Sequence, residues 1–424
     1  APHAESGPQI VLDRLMNSER LSRADGLSSG VVAKTVPKGG EHVLAELTGS
    51  GALVRLWSSY AAGRMAFYFD GEEEPRIECA AEHVSDNVPG AAHQKQPALM
   101  CLAYAKSLKI VVSDPLAADY RLDYVTFPAG VPVESFSIKR PGVPRGMLQA
   151  ITYRHEGLAG GKLREADPYQ RINAEPRTIE PGTTVELAKL EGTGIVQWVK
   201  LRADKAVLAN NDLWLEITVD GESVPAITAP ARFLFPVFAS GELKELDTMV
   251  MASKEGVASL LAMPYGAGIT IAARNRGAKP IENVAVTLSV DPANDKNRDD
   301  YAGRMRLRGI FQPAGSLAVD LARTSGQGRW VSLVYSQADD APTGIAALAI
   351  DGKDCPGWAM AELDPFWGKP GEGKNFYRAL SGRRGDLAWR YMLLEPVNFE
   401  QSLVLSPNPG DRLGDRLALF YVKN

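Results

Sequence analysis

The 424-residue chain carries a formal charge of −4 and is 45% hydrophobic, which is material for two or three packed domains. That charge, with no basic stripe interleaved with aromatics, argues against a nucleic-acid partner. No apolar run approaches the ~20 residues that span a bilayer.

Residues 1–40 read as an irregular arm with one short helix around Gln9–Arg20 that ends before Gly26. The opening APHAESG, without a methionine, reads either as a mature end left by signal-peptide removal or as an artificial end; the first is preferred and implies a periplasmic or secreted protein. From residue 41 to 140, short runs of alternating or β-branched character (HVLAEL, ALVRLW, MAFYFD, LKIVVS) are divided by Gly, Pro and Asp turns. Residues 141–182, rich in Gly, Pro and charge, read as a linker with some strand near Leu148–Arg154. A second β-unit covers 183–292, and DPANDKNRDD (291–300) reads as a solvated connection. A third unit covers 301–424 and closes on the apolar strand LALFYVK. Even strand spacing without intervening helices predicts an all-β protein of tandem antiparallel sandwiches, three units with few short helices.

The units repeat one another. FYFDGEEEPRIE (67–78), WLEITVDGESVPAI (214–227) and AALAIDGKDCP (346–356) are each a strand that ends in Asp-Gly, with a proline soon after. LAELTGSGALVRLW (44–57) parallels LAKLEGTGIVQWVKL (187–201), and ALMCLAYAKSLKIVVSD (98–114) parallels SLLAMPYGAGITIAARN (259–275). Recurrence at roughly 140-residue intervals is the mark of tandem duplication. The Asp-Gly pairs need no chemistry, because both residue types suit hairpin positions with positive φ. GSG and GTG lie between strands, where glycine marks a bulge or bend.

Several chemistries are excluded. Cys79, Cys101 and Cys355 fit neither a disulfide framework nor a zinc site; Cys79 and Cys101 can pair, although buried thiols are the preferred reading. The five histidines are dispersed, without H-E-x-x-H. No G-x-S-x-G elbow, Walker loop or dinucleotide fingerprint is present. No metal or other cofactor is expected, since no EF-hand spacing supports calcium.

The order of elements resembles a known family. Ser22-Arg23-Ala24-Asp25-Gly26, a GSG strand with a Trp, YFDGEEEPRIE, Met263-Pro264-Tyr265 (with Leu102-Ala103-Tyr104 in the first unit), WRYMLLEPVNFEQSLVL (389–405) and the closing ALFYVK are similar to glycoside hydrolase family 172. That resemblance implies tandem jelly rolls that hydrolyse or transglycosylate furanoside-containing oligo- or polysaccharides, and a homotrimer or a multiple of trimers. It places the catalytic carboxyls in loops flanking the last Asp-Gly strand.

This chain departs from the family pattern there. Residues 338–344 hold no glutamate, and Asp340 is the nearest carboxylate to the first position. In the second loop a gapless match puts Leu363 where a catalytic glutamate belongs, followed by Asp364; a one-residue shift restores Glu362. The expected catalytic set is therefore Glu362, Asp340 and Asp364. Trp358 and Trp367 would form the sugar-stacking walls, and Arg23 and Asp25 would orient hydroxyls. GKPGEGK (368–374) reads as cover for the cleft. The alternative is a noncatalytic glycan-binding or assembly jelly-roll protein that has lost the family's glutamates.

Overall fold

The computed structural model describes residues 5–84, 98–137, 169–236, 250–253, 256–259, 261–315, 320–336, 345–355, 376–378, 381–384, 386–407 and 414–424. Its described residues form three antiparallel β-sandwiches, as the strand spacing predicts. The first contains β1 (Ser28–Val36), β2 (Glu41–Thr48), β3 (Gly51–Ser58), β4 (Arg64–Phe69), β5 (Ile77–Ala80), β6 (Ala98–Tyr104), β7 (Ser107–Ser113) and β8 (Ala118–Thr126). They pair as β1-β8-β3-β6 and β2-β7-β4-β5, a two-sheet jelly roll.

The second contains β9 (Gln170–Asn173), β10 (Arg177–Ile179), β11 (Thr184–Glu191), β12 (Gly194–Arg202), β13 (Leu213–Val219), β14 (Ile227–Pro230), β15 (Val250–Ser253), β16 (Gly256–Ser259), β17 (Met263–Tyr265), β18 (Gly268–Asn275) and β19 (Ile281–Pro292). The third contains β20 (Arg306–Gln312), β21 (Ala322–Ser325), β22 (Gly328–Ser336), β23 (Ile345–Ile350), β24 (Lys353–Asp354), β25 (Phe376–Arg378), β26 (Ser381–Arg384), β27 (Leu387–Tyr391), β28 (Val397–Phe399), β29 (Ser402–Pro407) and β30 (Arg416–Val422). The orders β10-β19-β12-β16 with β11-β18-β13-β14, and β20-β30-β22-β27 with β21-β29-β23-β24, reproduce the first unit strand for strand.

The duplication extends to irregularities. The register slips between Leu53 and Arg55 on β3, between Val196 and Trp198 on β12, and between Trp330 and Ser332 on β22. An extra residue at one place in all three copies is an inherited β-bulge.

The repeated Asp-Gly turns have the conformation expected of them. Asp70, Asp220 and Asp351 lie at φ 55, 56 and 52°, and each is followed by a glycine that is also at positive φ. Each aspartate also clamps the neighbouring hairpin. Asp220 accepts from the backbone N–H of Gly266 (2.6 Å) and Ala267 (2.8 Å), and Asp351 from those of Glu400, Gln401 and Ser402 (2.6–3.0 Å at Oδ1). Asp70 does the same with Lys106 at 2.8 Å. Burial disfavours ionisation, but these donors, joined by the Ser135 hydroxyl at Asp70 and by Arg306 at Asp220, outweigh it and hold all three carboxyls below their usual range.

The G-x-G turns are also threefold, with Gly326-Gln327-Gly328 as the third copy. A Cβ on the second glycine would lie 2.7 Å from the Tyr104 ring at Gly51, 2.8 Å from Tyr265 at Gly194 and 2.6 Å from Phe399 at Gly328. The aromatic that ends β6, β17 or β28 thus packs directly on bare backbone.

Three details move relative to expectation. The arm's helix α1 runs Gly7–Met16, and a 3-10 turn follows at Ser18–Ser22. Ser28–Val36 is already a strand of the first sandwich, paired along its length with β8. β9 and β10, in the stretch read as linker, belong to the second sandwich through β19. The strand expected near Leu148–Arg154 lies outside the described residues. All three cysteines are free. Cys79 packs in the first unit's own core and Cys101 on the outer face of the sheet containing β6, so the two do not meet. Burial pushes the Cys101 thiol up to about 12.

Strands with one covered face alternate, as in β13 and β18. β3 and β22 are buried at every described position before their ends, because a second layer covers their outer faces. Val11, Leu12, Leu21 and Leu27 of the arm join Ala52, Val54 and Val125 from the first unit, the core of the second, and Val334, Leu417 and Tyr421 from the third in one apolar cluster. Each such side chain contributes about 1.5–3 kcal/mol, so the arm is the wedge around which the three sandwiches pack.

Candidate functional site

One end of the third sandwich carries the close of β22 at Ser336 and the start of β23 at Ile345; the Asp351-Gly352 hairpin lies at the other end of β23, bonded to Glu400–Ser402 beside the start of β22. Asp340, Trp358, Glu362, Asp364 and Trp367 lie outside the described residues. The two arm candidates are described, and they have different partners. Arg23 is half-exposed and pairs with Asp300 at 3.5 Å. Asp25 accepts from Arg14, from Arg329 (2.7 Å) and from the backbone N–H of Leu27 (3.2 Å). Burial opposes the charge on Asp25, but the two guanidiniums prevail and hold its carboxyl below the usual range.

Asp25 belongs to the first of two buried ionic knots. Arg329 also donates to the Leu21 carbonyl (3.1 Å) and to Asn398 Oδ1 (2.7 Å), and the Asn398 amide donates to the Leu27 carbonyl. Arg14 reaches the Leu394 carbonyl at 3.4 Å. The motif around Asp25 and the stretch 394–398 are thus one contact between arm and third unit.

The second knot joins the first and third units. Asp123 on β8 accepts from Arg121 (2.8 Å), from Arg55 on β3 (3.0 Å) and from Arg390 on β27 (3.1 Å), and Arg390 also bonds Glu395. All five side chains are at most 3% exposed. Desolvation, reinforced by the neighbouring Arg390 charge, pushes Arg55 down to about 9 despite Asp123. Burial opposes ionisation of Asp123 too, but Arg121, Arg55 and Arg390 hold its carboxyl far below the usual range. A carboxylate so depressed and so enclosed neither shuttles a proton near neutrality nor meets a substrate; it is an interlock. Sequence reading missed it. Its signal was a charged residue inside an apolar strand: Arg55 in ALVRLW, Asp123 in RLDYV, Arg390 in AWRYM.

Among the described residues no group of His, Cys, Asp or Glu has metal-binding geometry, and no helix is long and apolar enough to cross a membrane.

Three tandem jelly rolls pinned together by an arm and two ionic knots define an all-β multi-sandwich protein. Residues 16–142 match the model of the GH172 first beta-sandwich domain, and residues 170–288 match the GH172 domain-like model. The chain belongs to glycoside hydrolase family 172, as its motifs imply. Both matches end before the third sandwich. No curated protein matches the chain. Among solved structures, one of infectious bursal disease virus Gt strain aligns over 94% of this chain and 81% of its own at 8% identity, with a TM-score of 0.17; it carries no argument.

Proposed function

We propose that the protein hydrolyses or transglycosylates a furanoside-containing glycan, with paired carboxylates in the third sandwich's loops as the reacting groups. Membership of a glycoside hydrolase family is the observation that supports this reading. Glu362 and Asp340, with Asp364 beside them, supply nucleophile and acid/base, Trp358 and Trp367 stack on sugar faces, and half-exposed Arg23 contributes from the arm. A separation of ~5–5.5 Å between the carboxyls gives retention, and a wider one gives inversion through a water. Asp25 serves this site indirectly by anchoring the arm. We further propose a periplasmic or secreted homotrimer, or a multiple of trimers.

The experiment is a panel of aryl α- and β-furanosides (arabino, fructo and galacto) tested with wild type and Glu362→Gln. Turnover by the wild type that drops on the order of 10⁴-fold in the variant is the expected result. Undiminished turnover removes Glu362 from the mechanism. The rival reading, a glycan-binding module without catalysis, is favoured by Leu363 at the gapless glutamate position and by the lack of any glutamate in 338–344. Wild-type silence across the panel, joined to saturable glycan binding, would establish it.

A further inference from the structure

The Asp-Gly turns of the first two sandwiches differ in what lies beside them. Anchored on Asp70 and Asp220, the residues Glu72, Glu74 and Arg76 correspond to Glu222, Val224 and Ala226. In the first copy Arg76 lies across the turn, donating to Glu72 (2.7 Å) and to the Phe136 carbonyl (2.7 Å). In the second copy alanine takes that place, and its carbonyl accepts from the Gly309 N–H of β20 at 2.9 Å. The fork on the glutamate is kept, but its arginine, Arg308, comes from the third sandwich.

A cleft of about 680 Å³ lies between the two units, lined by aliphatic Val224, Pro225 and Ile310 and by polar Ser223, Thr324 and the Arg308–Glu222 pair. That volume falls in the ~300–1,000 Å³ range of small-ligand sites, which favour boundaries between domains. Val224 is 70% exposed, where the first copy has an exposed glutamate, Glu74. A lone surface valine would carry nothing, but this one shares a cleft with two hydroxyls, Ser223 and Thr324, that have no hydrogen-bond partner among the described residues. The walls are pinned: Asp220 holds the turn through the Gly266 and Ala267 N–H groups and accepts from Arg306 Nε at 2.6 Å. The cleft is also remote from the candidate reacting loops. Val422, in its lining, pairs with Gly328 at the start of β22, whereas Ser336, which leads into 337–344, ends that strand on the order of 25 Å away.

We propose that this cleft is an accessory binding site for a neutral saccharide. Ring C–H groups pack on Val224, Pro225 and Ile310 while the Ser223 and Thr324 hydroxyls bond those of the sugar. A hydroxyl both donates and accepts, so it suits another hydroxyl in either role. An anion, by contrast, would compete with Glu222 for Arg308 and stand against its carboxylate. The saccharide part rests on the glycan reading above; the neutrality rests on the cleft alone.

The test is titration calorimetry on the full chain with three neutral trisaccharides (α-1,5-arabinotriose, 1-kestose and maltotriose) and with tri-galacturonate. The best neutral trisaccharide is expected to bind at least about tenfold more tightly than the acid, with an affinity that changes less than about twofold as salt rises from about 0.05 to 0.5 M. Val224→Glu, which puts the first copy's residue at an exposed position, and Thr324→Val, which removes a hydroxyl at nearly constant volume, should each weaken binding about fivefold or more with an unchanged circular dichroism spectrum. Glu74→Gln, at the matching turn of the first sandwich, should lose nothing. Acid bound as tightly as the best neutral trisaccharide, no binding of any of the three, or full affinity in either cleft variant overturns the proposal. Glu362→Gln should bind the trisaccharide as the wild type does, and Val224→Glu should keep wild-type turnover, so loss of turnover and loss of this site are read separately.

Discussion

The outer faces of the first and third sandwiches share strand order and bulge position yet have opposite chemistry. Where the first has Arg55 opposite Asp123, the third has Ser332 opposite Leu419; where the first has Trp57 opposite Arg121, the third has Val334 opposite Leu417. Both sets are buried. The charged face meets Arg390 and Glu395, and the apolar one is part of the large cluster shared with the arm and the second unit. Duplication thus copied hydrogen-bond ladders and bulges, while outward side chains diverged according to what each face came to touch. A buried ionic contact is worth little over an apolar one in net stability, but breaking it on one side is costly.

The sharpest way to break this comparison is to remove the two equivalent residues. Asp123→Ala strands three buried arginines and should cost about 3–5 kcal/mol, while Leu419→Ala should cost about 2–5 kcal/mol through its cavity; urea denaturation measures both. The difference lies in pH. The folded pKa of Asp123 is depressed, so its contribution is present above the unfolded value of about 4 and is lost as pH falls below it. Thermal melts from pH 6 down to 2.5 should show a shallower acid loss in Asp123→Asn than in wild type, and a parallel curve in Leu419→Ala. Parallel curves for all three would mean that the knot carries no linked protonation.

The repeated turns allow a smaller test of equivalence. Gly328→Ala and Gly194→Ala each force a methyl into an aromatic ring and should destabilise by about 1–3 kcal/mol. A neutral result at one site would show that its aromatic swings away freely. Smallest is Asp351→Ala, which strips three backbone N–H groups of their acceptor at an exposed turn; about 1 kcal/mol is expected, with faster amide exchange at Gln401 and Ser402 as the local sign.

Much of the fold was legible in residue types. Asp-Gly reports positive φ, alternation reports one covered face, and the paired GSG and GTG motifs reported duplication. The third G-x-G, GQG, escaped notice because Phe399 replaces the tyrosine of the other two copies. β1 escaped because SSGVVAKTV lacks alternation, its partner β8 being distant in sequence. The candidate site was legible only through family likeness, and much of that likeness proved to be architecture: Asp25, Arg390, Glu395 and Asn398 hold units together.

By itself, then, the sequence determined what is local: turn conformations, strand periods, threefold repetition and membership of family 172. Tertiary structure alone decided which charged side chains are sealed in and which line a cleft, because that depends on residues such as Arg390 and Asp123, 267 positions apart, arriving in one desolvated place. An arginine on a strand reads the same in any sequence, and only what is brought around it makes it a buried interlock, as at Arg55, or part of a cleft's lining, as at Arg308.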